Sequence, residues 1–313
     1  MLKMYRRGLT AVLVAGLSMA AVVSTSCGTD PEATLGSTTE TATDGLANAC
    51  NLDGTWAVKF VVPVSWRANV AVQGGQGEIV QWALSQRKRE SDSTVIDSLK
   101  PCGSTVPDYK SQTIFGGETY GIRFPNSLFD GSALKATNVR TRVASFAVGS
   151  AFESDLAPIQ IGVSLPNPLT DAWPTKAQEL LSHVLDADGN GKPGVTLDAA
   201  TGNGYAVPPV NFGRSKHADH FYVAIRNIAG MQGKITSCDR IDGNAVIPQV
   251  AGKVALNSRV LGCHKTDGSD CSPAEAGLLD KFQPDYQVAS QPTATLVRMA
   301  AGATCAQVRA MQF

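Results

Sequence analysis

Charge, aromatic residues and histidine are all scarce in this chain, and each scarcity narrows what it can do. Asp, Glu, Lys and Arg make up 17% of the 313 residues, aromatic residues 6%, and histidines number four. Long surface helices draw on more charge than that, so strands and turns are the expected style. No Cys-x-x-C occurs, which lowers the zinc-ribbon and thioredoxin-like readings. Also missing are the Gly-x-Ser-x-Gly elbow, the Ser-x-x-Lys set, the Walker loop, the Rossmann fingerprint after a strand and His-Glu-x-x-His. No catalytic motif therefore speaks for an enzyme. Carboxylate pairs such as Glu153 and Asp155 exist, yet spacing alone does not separate a glycosidase dyad from a solvated turn. Cations are not in excess: the formal net charge is zero. Nucleic acid is thereby disfavoured as a partner, because phosphates call for a clustered cationic surface.

What is present begins with a leader. Lys3, Arg6 and Arg7 precede a weakly polar run from Gly8 to Val23, then Ser24-Thr25-Ser26-Cys27. A basic flank, a short apolar core and small residues before a boundary make a secretory signal over residues 1–26. The run is shorter than the ~20 residues of a comfortable membrane span. Without the three leader cations, 24 basic groups face 27 acidic ones, a net charge of −3.

Ser26-Cys27 resembles the cleavage site of bacterial lipoproteins, with Ser24 departing from the usual aliphatic residue. The resemblance implies that Cys27 is the lipid-modified first residue of the mature chain. It also implies that the protein is exported and membrane-anchored, as an outer-membrane lipoprotein facing the periplasm or the cell surface. Cysteine arithmetic agrees. Seven cysteines less Cys27 leave Cys50, Cys102, Cys238, Cys263, Cys271 and Cys305, an even set for disulfides in an oxidising compartment. Six cysteines allow fifteen connectivities, and the sequence does not choose among them.

Residues 27–47 are rich in Thr, Ser, Gly and Ala and hold no aromatic residue. Such a segment buries too little to offset its ordering entropy and reads as a flexible tether, with an end-to-end distance of about 25 Å for a coil of that length. From residue 48 onward the pattern becomes one of short alternating runs. Trp56–Val64 reads as a strand that Pro63 ends or places at a sheet edge. Glu78–Lys88 and Thr94–Leu99 read as a hairpin turning at Glu90-Ser91-Asp92. Thr119–Phe124, Val139–Phe152 and Pro158–Leu165 continue the style. After a proline-rich stretch, Lys176–Leu185 spaces Ala177, Leu180, Leu181 and Val184 as the stripe of one amphipathic helix, with Thr175 as N-cap and Gln178 three residues on. Asp219–Ala229 and Gly233–Ile241 read as two paired strands, with Lys253–Cys263 and Thr295–Met299 as further strands. Ser272 and Pro273 cap a short helix through Phe282. The expected fold is mainly β, an antiparallel barrel or sandwich with one or two short helices and a helix-loop-strand insertion. It fills 48–313 as one domain, with a possible subdivision near 166–207.

The densest set of hard oxygen donors is Asp186–Asp198. Calcium takes six to eight oxygens, and an EF-hand loop supplies them from its first, third, fifth, seventh and twelfth positions, with Gly at the sixth. Asp186, Asp188, Asn190, Gly191 and the Lys192 carbonyl match the first half of such a loop. Leu197 stands where the closing Glu belongs, leaving Asp198 to fill in. The stretch resembles the variant Asp-x-Asp-x-Asn-Gly loops of exported bacterial proteins, which implies a structural calcium ion.

Gly54-Thr55-Trp56 resembles the Gly-x-Trp that opens the first strand of lipocalins and calycins. The resemblance, carried by Gly54 and Trp56 alone, implies a Trp closing one barrel end, an Arg packed over it and a cavity for an apolar ligand. Arg226 and Arg298 are both eligible for that Arg. His217, Asp219 and His220 lie close in sequence, but a loop leading into a strand would turn His217 and His220 to opposite faces. With His183 in the expected helix and His264 beside Cys263, that reading favours a solvated loop over a metal site. Cys263 and Cys271, with Asp267-Gly268 between them, suit a small local disulfide loop. Three functions stay open: a lipid-anchored binding protein, an exported hydrolase whose acidic site is assembled by the fold, and a structural or adhesive envelope component.

Overall fold

Alternation of buried and exposed side chains runs through the first three strands and sets their faces. The computed structural model describes residues 49–115, 117–200, 205–206, 217–250 and 253–313. The expected leader, Cys27 and the tether lie outside the described residues. Long strands β1 (Gly54–Trp66), β2 (Gly75–Arg89) and β3 (Thr94–Thr105) are followed by the short β4 (Tyr109–Lys110), β5 (Thr119–Tyr120) and β6 (Ile122–Arg123). Helix α1 (Asn126–Asp130) leads to β7 (Thr137–Val143), β8 (Ala151–Ser154) and β9 (Ala157–Ile161). Helix α2 (Ala177–Leu180) precedes β10 (Val195–Ala199), β11 (Tyr205–Ala206), β12 (His217–Ser237) and β13 (Arg240–Val246). The chain ends through β14 (Gln249–Val250), β15 (Lys253–Val254), β16 (Leu256–Lys265), α3 (Pro273–Lys281), β17 (Gln287–Val288), β18 (Thr293–Met299) and α4 (Cys305–Ala310).

The protein is mainly β, and its main sheet closes on itself. Antiparallel pairings run β1–β2, β2–β3, β3–β7, β7–β8, β8–β12, β12–β13, β13–β18 and back to β1. Closure leaves few edge strands to template aggregation. Inside this ring Trp56, Val58, Phe60, Phe152, Met231, Ile235 and Leu296 form a filled core. The N-terminal half of β12 extends the wall upward, pairing with β9 and β10 along one edge and β16 along the other. A second apolar cluster, including Phe129, Leu197, Phe221, Val223 and Val260, lines that end.

Of three disulfides, two join segments far apart in the chain and one is local. Cys50 pairs with Cys238, Cys102 with Cys305, and Cys263 with Cys271. The first two span 188 and 203 residues; the third closes the local loop expected from the sequence.

Several expectations are corrected. Pro63 ends no strand: β1 runs on to Trp66, and Pro63 falls where the pairing with β18 stops at Val61 and that with β17 starts at Val64. The two strands expected at Asp219–Ala229 and Gly233–Ile241 are instead one 21-residue strand, β12, with β13 returning after it. Gly233 sits inside this strand at a close approach of backbones: a Cβ there would lie 2.3 Å from the Asp242 carbonyl oxygen. The helix expected over Lys176–Leu185 shrinks to α2 plus a 3-10 turn at Leu181–His183, without a side-chain cap. Val184 and Leu185 leave it to bond the segment around Gly162 and Val163, so Leu181 and Leu185 stay about half exposed. By contrast, α3 has the capping expected: Ser272 accepts from the Glu275 amide, Glu275 returns the bond, and Pro273 opens the helix.

Candidate functional site

The Gly-x-Trp segment shows why its residue types are needed. Trp56 is fully buried and donates its indole N–H to the Leu52 carbonyl at 3.0 Å. The Arg298 guanidinium stacks over its ring at 4.6 Å, and Arg226, the other eligible arginine, stacks on Trp173 instead. Arg298 donates to the carbonyls of Asn51, Asp53 and Cys238 and to the Asp239 carboxylate, tying together the segments at this end. Gly54 has φ +122°, and a Cβ there would lie 3.2 Å from the guanidinium, so glycine answers both the backbone and the stacking. This end of the ring is closed.

The other end is hollow. A chamber of about 100 Å³ opens among Leu197, Phe221, Val223 and Ile225 from one wall and Ile122 and Phe124 from another. Alternation along β12 aims Phe221, Val223 and Ile225 inward. Beside it runs a groove of about 850 Å³, where Trp173, Lys176, Arg259, Asp280 and Lys281 offer charge and an aromatic face. Leu256, Val260, Gln283 and Tyr286 belong to the walls of both. Burial among these walls pushes the Tyr286 hydroxyl far above its ordinary range, so it stays protonated. Asp280 is also raised, because burial outweighs the neighbouring Arg259 charge and the Val260 amide.

The acidic loop keeps Asp186, Asp188 and Asn190 together but satisfies their oxygens internally. Asp186 accepts from the amides of Gly189, Asn190 and Gly191 at 2.8, 3.1 and 2.8 Å. Those bonds, the Gly191 amide first, hold its carboxyl below the usual range. Asp188 accepts from the Thr196 amide and the Asn190 side chain. The Lys192 ammonium leaves the loop to meet Asp270 at 2.6 Å. Asp198 stands apart, on β10, where its Oδ1 is 3.5 Å from His220 Nε2.

That contact leads to a cluster the sequence did not disclose. The register of β12 with β16 sets His264 opposite His220, and a bulge between Ala218 and His220 leaves Asp219 without a partner on β16. A bulge re-aims a side chain, and here the Asp219 carboxylate meets both imidazoles. Its Oδ1 is 2.9 Å from His220 Nδ1 and 2.8 Å from His264 Nδ1. Burial alone would raise this carboxyl, but hydrogen bonds from His264 and His220 outweigh it and hold it low. Among the described residues, this is the one trio of such groups whose donor atoms lie within 4.8 Å of one another. The remaining candidates are separate: Glu153 and Asp155 pair with Arg142, and His183 lies in the 3-10 turn.

The chain matches no protein-family model, no curated protein and no solved structure.

Proposed function

We propose that the protein is an exported, lipid-anchored binding protein of the cell envelope that takes a small amphipathic ligand at the open end of its strand ring. The observation that carries this is the shared wall of chamber and groove. An apolar chamber of about 100 Å³ adjoins a groove of about 850 Å³ with mixed polar and apolar walls through Leu256, Val260 and Tyr286. An apolar group of a few heavy atoms suits the first, and a polar or charged remainder suits the second. Three disulfides support a mature chain that lives in an oxidising compartment, in keeping with the leader and Cys27. The acidic loop at Asp186 serves as a structural brace, with calcium as its ion once Asn190 turns its amide away from Asp188.

The test is displacement of an apolar fluorescent dye from the purified chain. Leu279 on α3 forms part of the chamber wall, and Leu279→Trp should abolish dye enhancement while the melting temperature holds. Equal dye binding by wild type and Leu279→Trp would remove the chamber from the reading. For the anchor, Cys27→Ala should release the protein from membranes, and continued membrane association would count against lipidation.

A further inference from the structure

We propose that Asp219, His220 and His264 form a binding site for a zinc-type divalent transition metal, on the outer face of the ring and separate from the chamber. Three features carry this beyond a surface cluster of polar residues. The first is convergence. Both Nδ1 atoms lie within 2.9 Å of one carboxylate oxygen, and the rings meet at 64° with centroids 5.9 Å apart, so their nitrogens point inward and their faces do not stack. Ordinary alternation would turn adjacent Asp219 and His220 to opposite faces; the bulge gives them the same one.

The second is the donor set. Two imidazole nitrogens and one carboxylate suit zinc, copper or nickel, whereas calcium and magnesium ask for oxygen throughout. Three protein ligands leave a fourth position open, the arrangement of sites that exchange a water or a small molecule. With metal–ligand bonds of about 2.0–2.1 Å in a tetrahedron, ligand atoms stand ~3.3 Å apart. The present separations of 2.8 and 2.9 Å need to open by about half an ångström, and side chains 34–43% exposed can do so by small rotations.

The third is the surrounding charge. Asp198 pairs with His220 across β10 and β12, and its Oδ1 is 3.5 Å from His220 Nε2. When a metal displaces the proton now between His220 Nδ1 and Asp219, a carboxylate there accepts from Nε2 and holds the tautomer that ligating histidines commonly require. Asp270 pairs with His264 through the backbone, and its carboxylate is taken up by the Lys192 ammonium and the Tyr222 hydroxyl, so the negative charge beside the imidazoles comes from Asp219 and Asp198. Asp198 acts through His220 and is a positioning residue.

The experiment uses the mature chain without a histidine tag, stripped with chelator and titrated calorimetrically with zinc chloride. One zinc per chain should bind, and His264→Gln and His220→Gln should each weaken it at least tenfold. Asp198→Asn should weaken it about tenfold with the metal-free melting temperature unchanged, whereas His183→Gln should leave it unaltered. Substitution with cobalt gives a second readout: a visible d–d band that disappears in His264→Gln. Absence of stoichiometric zinc binding, a cobalt spectrum indifferent to His264→Gln, or an equal loss in His183→Gln would overturn the site. Dye binding in the chamber reports on the opposite face of β12, so failure of one reading is distinguishable from failure of the other.

Discussion

Replacing Asp97 with alanine should cost this protein a large part of its stability. Asp97 and Arg87 are buried inside the ring, with side chains 4% and 1% exposed, and their contact is 2.7 Å. Asp97 also accepts from the Ser85 and Thr141 hydroxyls at 2.7 Å each, which fills its oxygens. Arg87 is less well served. Its Nε reaches Asp97, but Nη1 and Nη2 find no acceptor among the described residues. The guanidinium lies instead between the faces of Trp56 and Phe152, each 5.0 Å away. Removing the carboxylate therefore leaves a buried cation with only two aromatic faces for company, a change that costs about 3–5 kcal/mol. Against a typical total of ~5–15 kcal/mol, that brings the fold close to its threshold. Urea unfolding of wild type and Asp97→Ala, extrapolated linearly, reads the difference. The double variant Arg87→Met with Asp97→Leu should recover only part of the loss, because it removes the buried cation but leaves the buried Ser85 and Thr141 hydroxyls without their acceptor. A loss under ~1 kcal/mol in Asp97→Ala alone would refute the reasoning, since it would mean the cation is solvated where the packing says it is not.

Other outcomes follow from the same physics. In the chain-entropy model, a cross-link over 203 residues stabilises by about 5 kcal/mol and one over 8 residues by about 2.5 kcal/mol. Changing Cys102 and Cys305 to alanine should therefore cost about twice as much as changing Cys263 and Cys271, and equal losses would contradict it. Burial alone would raise the Glu275 carboxyl, but bonds from Ser272 and the Lys265 ammonium outweigh it and hold it below its ordinary 4.5. Its contribution is then fully present above that unfolded value and is lost as pH falls through the lower folded value. Acid titration of the melting temperature should be shallower in Glu275→Gln below pH 4.5; an unchanged slope would assign the acid loss to other groups. Calcium at a hundred times its dissociation constant should stabilise by about 2.7 kcal/mol. Asp186→Ala should remove that gain, and identical midpoints with and without chelator would dispose of the ion.

Much of the fold was legible because its signals are local. Alternation in Glu78–Lys88 and Thr94–Leu99 marked a hairpin, and the Ser272-Pro273-x-Glu275 pattern marked α3 with its capping box. Gly54 and Trp56 pointed to an arginine stacked on the indole, and either Arg226 or Arg298 could have supplied it. The choice depends on which strand closes against β1, a long-range fact, and β18 brings Arg298 there. The same distinction explains the failures. Ala177, Leu180, Leu181 and Val184 have helical spacing, yet the chain turns out of the helix because Leu185 and Gly194 have partners nearby to bond. Thr304 and Gln307 do carry a local signal, the capping box of α4, and that helix could have been read from it.

The histidine cluster was hidden for a deeper reason. A period of two decides which residues of a strand share a face only while each residue has one partner across the ladder. Applied to Asp219 and His220, strict alternation separates them, and that inference holds for every unbulged strand. Here β16 offers one fewer residue than β12 between Ala218 and His220, so the parity changes at that point. Neither strand's sequence alone contains this; it arises from the mismatch between two segments more than forty residues apart. The sole trace in the sequence was compositional: two of the four histidines directly follow another metal-ligating residue type, His220 after Asp219 and His264 after Cys263. Disulfide closure at Cys263 and Cys271 then fixes the turn that carries Asp270 back toward His264. A bulge that cost ladder pairing with nothing gained would be poor design, and the convergence of Asp219 on two imidazoles is the gain it brings.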